Sequence, residues 1–330
     1  MHSNVVFAGN VIVDCVKMLP AWPERGMLVT ISGVSRSVGG SVPNTGIDLK
    51  RLDPSLSVSA IAKVGEDEPG DFAIETLASA EIDTSRVVRV KGAATSTVDC
   101  LTLEATGERT FLCLRGANDL LAPDDIDVSK LHCDIFHLGY LLLLDGMDAI
   151  DEEYGTKAAR VLSKVQAAGI KTCVDIVSEQ SDRFEGIVRP ALRYCDYCVV
   201  NEIEASRATG LDKDDMRGVC EGLRELGVRE CAVVHRPEGS AAIDSEGRFC
   251  AVGSLELPDD WIKGAVGAGD AFCAGMLYSF LKGMPPEDGM RLASCAAAWN
   301  LSAVDATSTA RSYAKTMELD EKFGRKSVCW

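Results

Sequence analysis

Between Gly264 and Phe272 the chain reads Gly-Ala-Val-Gly-Ala-Gly-Asp-Ala-Phe, with three glycines in six residues followed at once by a carboxylate. Glycine lets a backbone approach a ligand closely and take dihedrals that other residues avoid. The run from Ala271 to Lys282 has helical character, so its first turn offers unpaired N–H groups and the positive end of a dipole. Phosphate oxygens suit such an end. Asp270 stands where the helix starts, beside anything bound there, and a carboxylate in that place could take the proton of an attacking hydroxyl. Taken alone, the segment reads more simply as a glycine turn with Asp270 as a helix N-cap. It is not a dinucleotide fingerprint, because Phe272 stands where a third glycine would fall, nor a Walker A loop, because no Gly-Lys-Ser/Thr follows.

Three further groups of residues carry potential chemistry. In Ser37-Val38-Gly39-Gly40-Ser41-Val42-Pro43-Asn44, paired glycines precede a helix-like run from Asn44 to Leu52. The N–H groups of Gly39 and Gly40 and the amide of Asn44 could bind hydroxyls; the plainer reading is a turn capped by Asn44. Asn201-Glu202-Ile203-Glu204 follows an apolar strand pattern ending at Val200. Polar residues at the carboxyl end of a parallel strand are placed to meet a ligand, although Asn201 with Glu204 three residues on also spells a capping box. Asp14 follows Gly9-Asn10 at the end of the first strand pattern, and a carboxylate there could accept from two neighbouring hydroxyls of a polyol. A solvated turn aspartate fits equally well.

These residues must be carried by elements. Apolar runs at Val5–Gly9, Val58–Val64, Ile135–Leu138, Thr172–Asp175, Tyr197–Val200 and Cys231–Val234 predict strands. Helix-period stretches lie between them: Tyr154, Ala158, Val161, Leu162 and Val165 share one face, and Met216, Val219, Cys220 and Leu223 another. Nearly all-apolar strands joined by helices imply a doubly wound, mostly parallel α/β sheet covered on both faces. Two regions, about 13–38 and 95–114, switch to short alternating patterns with turn signals. Thr97 to Leu103, the turn 105–108 and Thr110 to Leu114 read as a β-hairpin. These excursions form either edge hairpins of the main sheet or a small separate sheet acting as a lid.

The 330 residues carry a net charge of −16, a surface that repels nucleic-acid backbones and anionic membranes. No run approaches the roughly 18 apolar residues of a membrane span, and Met1-His2-Ser3-Asn4 lacks a secretory signal, so a cytoplasmic location is expected. The thirteen cysteines are scattered, and Cys195 with Cys198 has no second pair at zinc-site spacing. Four isolated histidines suggest no metal cluster.

Taken in order along the chain, these features resemble the ribokinase-like (PfkB) carbohydrate kinase family, and the resemblance spans Val5 to about Ser308. Gly39-Gly40-x-x-x-Asn44 is similar to the first family signature and Gly267-Ala268-Gly269-Asp270 to the second. Asn201-x-x-Glu204 lies between them, and Arg115-Gly116-Ala117-Asn118 resembles the family's Gly-Ala-Asn segment. The resemblance implies one ribokinase-like domain over 1–330, with lid segments near 13–38 and 95–114. It implies ATP-dependent phosphorylation of a sugar hydroxyl, with Asp270 as general base and the N–H groups of Gly267, Ala268 and Gly269 as the anion hole. Asp14, Gly39, Gly40, Asn44 and Asn118 would bind the acceptor. Asn201 and Glu204 would organise ATP and Mg²⁺, Glu204 through water, and Arg236, Gly239 and Asn300 would border the nucleotide. A homodimer through the lid is a further implication.

Three departures qualify these expectations. Gly264-Ala265 replaces the family's Asp-Thr, which removes a carboxylate from its monovalent-cation site and argues against potassium activation. His235-Arg236-Pro237-Glu238-Gly239 replaces its Thr-x-Gly segment. Ser41 stands where ribokinase has lysine, so the acceptor pocket need not match ribose. A phosphosugar acceptor would call on Lys17, Arg25 or Arg36, and a nucleoside on Trp22 or Phe111; a neutral sugar is the preferred expectation. The alternatives are a nucleoside kinase of the same fold and a non-catalytic sugar- or nucleotide-binding member. An NAD-dependent oxidoreductase lacks a fingerprint near the first strand.

Overall fold

The structure, a computed structural model, describes residues 3–330. The chain opens with β1 (Ser3–Gly9), then β2 (Ile12–Leu19), β3 (Gly33–Gly39), α1 (Ser41–Leu52), β4 (Val58–Gly65), α2 (Glu68–Ser79) and β5 (Asp83–Val90). A second excursion, β6 (Thr97–Leu103) and β7 (Arg109–Leu114), returns through short 3₁₀ turns to β8 (Cys133–Leu141). There follow α3 (Asp145–Asp148), β9 (Ile150–Asp151), β10 (Gly155–Thr156), α4 (Lys157–Ala167), β11 (Lys171–Ile176), α5 (Phe184–Leu192) and β12 (Tyr197–Asn201). The last stretch holds α6 (Glu202–Thr209), α7 (Met216–Glu225), β13 (Cys231–Arg236), β14 (Gly239–Asp244), β15 (Phe249–Gly253), α8 (Ala268–Lys282), α9 (Pro286–Asn300) and α10 (Tyr313–Lys322).

Nine strands form the main sheet in the order β15-β14-β13-β12-β11-β8-β1-β4-β5. All pairs are parallel except β13–β14 and β14–β15. The six apolar runs of the sequence are the six adjacent strands β13, β12, β11, β8, β1 and β4. Alternate residues face opposite sides, as the period of a strand requires. Val6 and Ala8 pack with α4, α5, α6 and α7 residues such as Leu162, Val188, Ala205 and Val219. Val5 and Phe7 pack with α1, α2, α8 and α9 residues such as Leu49, Ala73, Met276 and Leu292. Both faces are therefore covered, which is why these strands read as continuous apolar runs.

The two excursions form a separate four-stranded sheet, β3-β2-β6-β7, rather than edge hairpins of the main sheet. In it β2 runs antiparallel to β3 and parallel to β6, with Val13 opposite both Val38 and Thr97. The outer strand β7 is exposed along its whole length, including Phe111, Leu112 and Leu114. No helix among the described residues is long and apolar enough to cross a membrane.

Three helix starts differ from the sequence expectation. Helix α4 begins at Lys157, with the Thr156 side chain accepting from the Ala159 N–H, so Tyr154 lies outside it. Helix α1 begins at Ser41 rather than Asn44. Pro43 does not break it, because a first-turn residue has no intrahelical N–H bond to lose. Helix α8 begins at Ala268, with Gly267 as its cap at φ 82°.

Candidate active site

The polar residues of interest gather at the carboxyl ends of the central strands, the ligand-binding edge of an open parallel sheet. Tyr140 comes from β8, Asp175 from β11, Asn201 from β12 and His235 from β13. Helix α8 brings Asp270 against this edge, and α1 brings Asn44.

The early helix starts remove the capping reading of these two residues. Asn44 lies within α1 and Asp270 within the first turn of α8, so neither is a cap. Instead the Asn44 amide donates to Asp270 Oδ2 at 2.9 Å. The Tyr140 hydroxyl lies 2.7 and 2.8 Å from the two Asp270 oxygens, and Thr45 donates weakly to Oδ1 at 3.4 Å. Burial, then the charge of Asp175, push Asp270 up to about 7, against the Tyr140 and Asn44 hydrogen bonds and the nearby His137. A carboxyl poised there exchanges protons near neutrality, as a general base must.

The backbone around Asp270 is built for close approach. Gly267 is in the left-handed region, and a Cβ there would come within 2.6 Å of the Ala306 side chain. The i→i−4 ladder of α8 starts with the Ala271 N–H donating to Gly267, which leaves the N–H groups of Gly269 and Asp270 in the open first turn. The Ala268 N–H is already directed to the Ala265 carbonyl at 3.3 Å, so of the three expected anion donors it is the one partly engaged.

Two cavities meet at this turn. A larger one of about 770 Å³ is lined by Arg236, Gly239, Leu257, Ala268, Phe272 and Ala298 among others. A smaller one of about 220 Å³ is lined by Tyr140, Asp175, Ser178, Glu204, Asp270 and Cys273 among others. Both share Asn201, His235 and Gly269. The larger is mostly apolar; the smaller holds three carboxylates and no lysine or arginine.

Asn201 and Glu204 do form the capping box: the Asn201 side chain accepts from the N–H groups of Ile203 and Glu204, and Glu204 Oε2 accepts from the Asn201 N–H at 3.0 Å. The capping role does not remove them from the site, because both line the smaller cavity. Burial raises Glu204 to about 7, against hydrogen bonds from the Asn201 N–H and Ser178. With Oε1 also accepting from Ser178 at 2.7 Å, Glu204 is suited to hold a divalent ion through water rather than directly. Asp175 contributes a second carboxylate whose Oδ1 has no protein partner. This donor set of oxygens fits Mg²⁺.

The other expected residues are distributed as follows. Asp14 lies against Gly39, where a Cβ would come within 2.3 Å of its Oδ2, and burial raises it to about 6. Gly40 is at φ 93° and a Cβ there would meet the Asn10 carbonyl at 2.6 Å, so close approach and dihedral both require this glycine, whereas at Gly39 only the Asp14 side chain would have to move. Asn118 is buried, and its Oδ1 accepts from the Val11 N–H at 3.1 Å, pinning the turn between β1 and β2. Arg236 and Gly239 line the larger cavity, but Arg236 is ion-paired to Glu238 and Asp214 at 2.6 and 2.9 Å. Asn300 faces away from it: it is buried, and its amide donates to the Ala306 carbonyl. Its helix-mates Ala297 and Ala298 line the cavity instead.

Sequence reasoning passed over Tyr140, Asp175 and His137. His137 is not isolated: its Nε2 lies 3.2 Å from Asp175 Oδ2, and ligand atoms of His137, Asp175 and Cys273 lie within 4.8 Å of one another. Burial works to lower the His137 pKa, but the Asp175 carboxylate outweighs it and holds the ring above its ordinary value. Tyr140 and Asp175 end apolar strands, and an ionisable residue at the carboxyl end of a parallel strand was the signal available for both.

A strand-end acidic pocket lies beside an open helix N-terminus on a doubly wound sheet, with a larger, mostly apolar cavity adjoining it. The pfkB family carbohydrate kinase model matches residues 2–312, and the chain belongs to that family; its members transfer a phosphoryl group to an alcohol. The chain is 26% identical over 322 residues to an ATP-dependent ribose-1-phosphate kinase of Halopiger xanaduensis, covering 97% of this chain and 99% of that one. The ribokinase of Arabidopsis thaliana, solved with ribose and ATP, superposes with a TM-score of 0.80 at 20% identity, covering 97% and 99% of the two chains. A nucleoside kinase of Methanocaldococcus jannaschii superposes with a TM-score of 0.75 at 16% identity, covering 98% and 100%. The fold is the ribokinase fold.

Proposed function

We propose that this carbohydrate kinase transfers the γ-phosphoryl group of ATP to a hydroxyl of a neutral sugar, with Asp270 as general base. The observation that carries the reading is the position of Asp270: a buried carboxyl raised to about 7, in the open first turn of α8 where the two cavities meet. The larger cavity has the size and apolar lining for a nucleotide. Its phosphates would point along Gly269 toward the smaller cavity, where the acceptor would sit.

The acceptor oxygen attacks the γ-phosphorus in line, its proton passes to Asp270, and the bond to the β,γ-bridging oxygen breaks to release ADP. The N–H groups of Gly269 and Asp270 donate to the transferred group as its charge spreads. Mg²⁺, when bound through Glu204 and neighbouring oxygens, supplies neutralisation of the phosphate charge, without which three carboxylates would repel ATP. Asp14, Gly39, Gly40 and Asn44 would hold acceptor hydroxyls that extend beyond the smaller cavity, which none of the four lines.

The absence of a cation among the residues lining the smaller cavity favours a neutral acceptor over a phosphosugar. Two of the three lid cations that a phosphosugar would call on are already engaged, Lys17 with Asp99 at 2.6 Å and Arg36 with Glu68. The apolar outer strand β7 supports pairing of two lids in a homodimer, and the reading places the enzyme in the cytoplasm. Purified protein with MgATP and a panel of neutral sugars, nucleosides and ribose 1-phosphate tests the proposal. Neutral sugars should give the highest kcat/KM. Preference for a nucleoside or a phosphosugar would replace the acceptor assignment, and ATP binding without turnover on any acceptor would favour the non-catalytic reading.

A further inference from the structure

We infer that the Tyr140 hydroxyl occupies the acceptor's seat on Asp270 in the resting enzyme, so that water is kept from the base until a polyol displaces it. The inference rests on the reading of Asp270 as base and assigns the neighbouring side chain its own role.

A carboxylate offers about four lone-pair sites. Three donors converge on Asp270: the single phenol proton lies between both oxygens at 2.7 and 2.8 Å, Asn44 takes Oδ2 at 2.9 Å, and Thr45 approaches Oδ1 at 3.4 Å. An acceptor hydroxyl must itself donate to Asp270 before its proton can be transferred. The phenol spans both oxygens on the cavity side, so an acceptor arriving from the smaller cavity must move it aside. Asn44 and Thr45 are buried on α1, held by the helix backbone. Tyr140 alone of the three lines the smaller cavity, where the acceptor would enter.

A single water has little to set against a phenol centred between both oxygens. A sugar brings several hydroxyls, and polar side chains that line the smaller cavity, Asp175 and Asn201 among them, can receive others. Displacement is then favourable for a polyol and unfavourable for water. Selection against water matters here because a γ-phosphoryl group beside an ionised base would otherwise be hydrolysed.

Tyr140→Phe removes the hydroxyl and keeps the ring. Water should then reach Asp270, and acceptor-independent hydrolysis of ATP should rise about ten- to hundredfold, the equivalent of one hydrogen bond to a charged group. The acidic limb of the kcat/KM profile should also move to higher pH, because the ionised base has lost a donor. Tyr140→Leu, which keeps apolar bulk in the same place, gives a second reading should the first variant fail to fold. Hydrolysis that stays at the wild-type level in a folded variant overturns the inference, whether or not the pH limb moves. Asp270→Asn, assayed alongside, separates this from the larger reading. If it retains sugar phosphorylation, the base assignment fails; if it abolishes phosphorylation while Tyr140→Phe changes nothing, only the role of Tyr140 fails.

Discussion

Asp270 draws its proposed role from the conflict around it. Burial and the Asp175 charge disfavour its ionised form, while Tyr140, Asn44 and His137 favour it, and the balance lies at about 7. The base works only when ionised, so kcat/KM should fall as pH drops through 7 and level off above it. A profile flat from pH 5.5 to 8 would remove Asp270 from that role. Asp270 was visible in the sequence because glycines flank it and glycines are local. Tyr140 and Asp175 were not, because nothing near them in the chain announces that β8 and β11 deliver them to one carboxylate. His137 failed for the same reason: its partner lies 38 residues on, on the neighbouring strand two residues past Cys173, which is its register partner.

At the scale of elements, two helix starts do most of the positioning. Gly267 caps α8 from the left-handed region with Ala306 against it. Gly267→Ala should cost about 1–3 kcal/mol for the strained dihedral, with a further loss from displacing the loop at Ala306; thermal unfolding measures it. Unchanged stability would mean that the cap does not need that conformation. Glu204→Gln keeps both hydrogen bonds within reach of a neutral amide but removes the charge. It should raise the Mg²⁺ concentration needed for half-maximal rate several-fold while leaving the unfolding temperature nearly unchanged. The sequence announced these helices and misplaced their starts. The run read from Asn44 starts at Ser41, with Pro43 sitting harmlessly in the first turn. The strand β5 escaped notice as a half-exposed edge, and β14 escaped as a run of small residues, Gly239-Ser240-Ala241-Ala242, whose burial owes more to packing than to hydrophobicity.

At the scale of the molecule, the site imposes a pH-dependent cost on the fold. Burial raises Asp14 and Asp148 to about 6 and Glu204 and Asp270 to about 7. Each binds its proton more tightly folded than unfolded, so each contributes stability at low pH that is lost as pH rises through its folded value. His235, lowered by burial to about 4, opposes them below its unfolded value of 6.5. Asp48 is raised well above its ordinary value by burial, and against burial Asp175 raises His137, so the raised groups outnumber His235 and predict that the ligand-free protein unfolds at a lower temperature at pH 8 than at pH 5.5; the reverse order would show that these groups are not held as described. The apolar β7 edge carries a second prediction: Leu112→Glu should convert a dimer to a monomer by light scattering without loss of fold. The α/β architecture was legible because its central strands are buried on both faces. The separate lid sheet was legible only as one of two options, since alternation does not say which sheet a hairpin joins.

The central claim is that Asp270 takes the acceptor's proton while the nucleotide is held by other groups. Asp270→Asn, assayed for phosphoryl transfer to the best sugar and, separately, for ATP binding by calorimetry, tests it most directly. The account predicts a fall in turnover of about 10²–10⁴-fold, the usual contribution of a positioned base, with ATP affinity close to that of the unaltered protein. Turnover within a few-fold of the unaltered protein would contradict it.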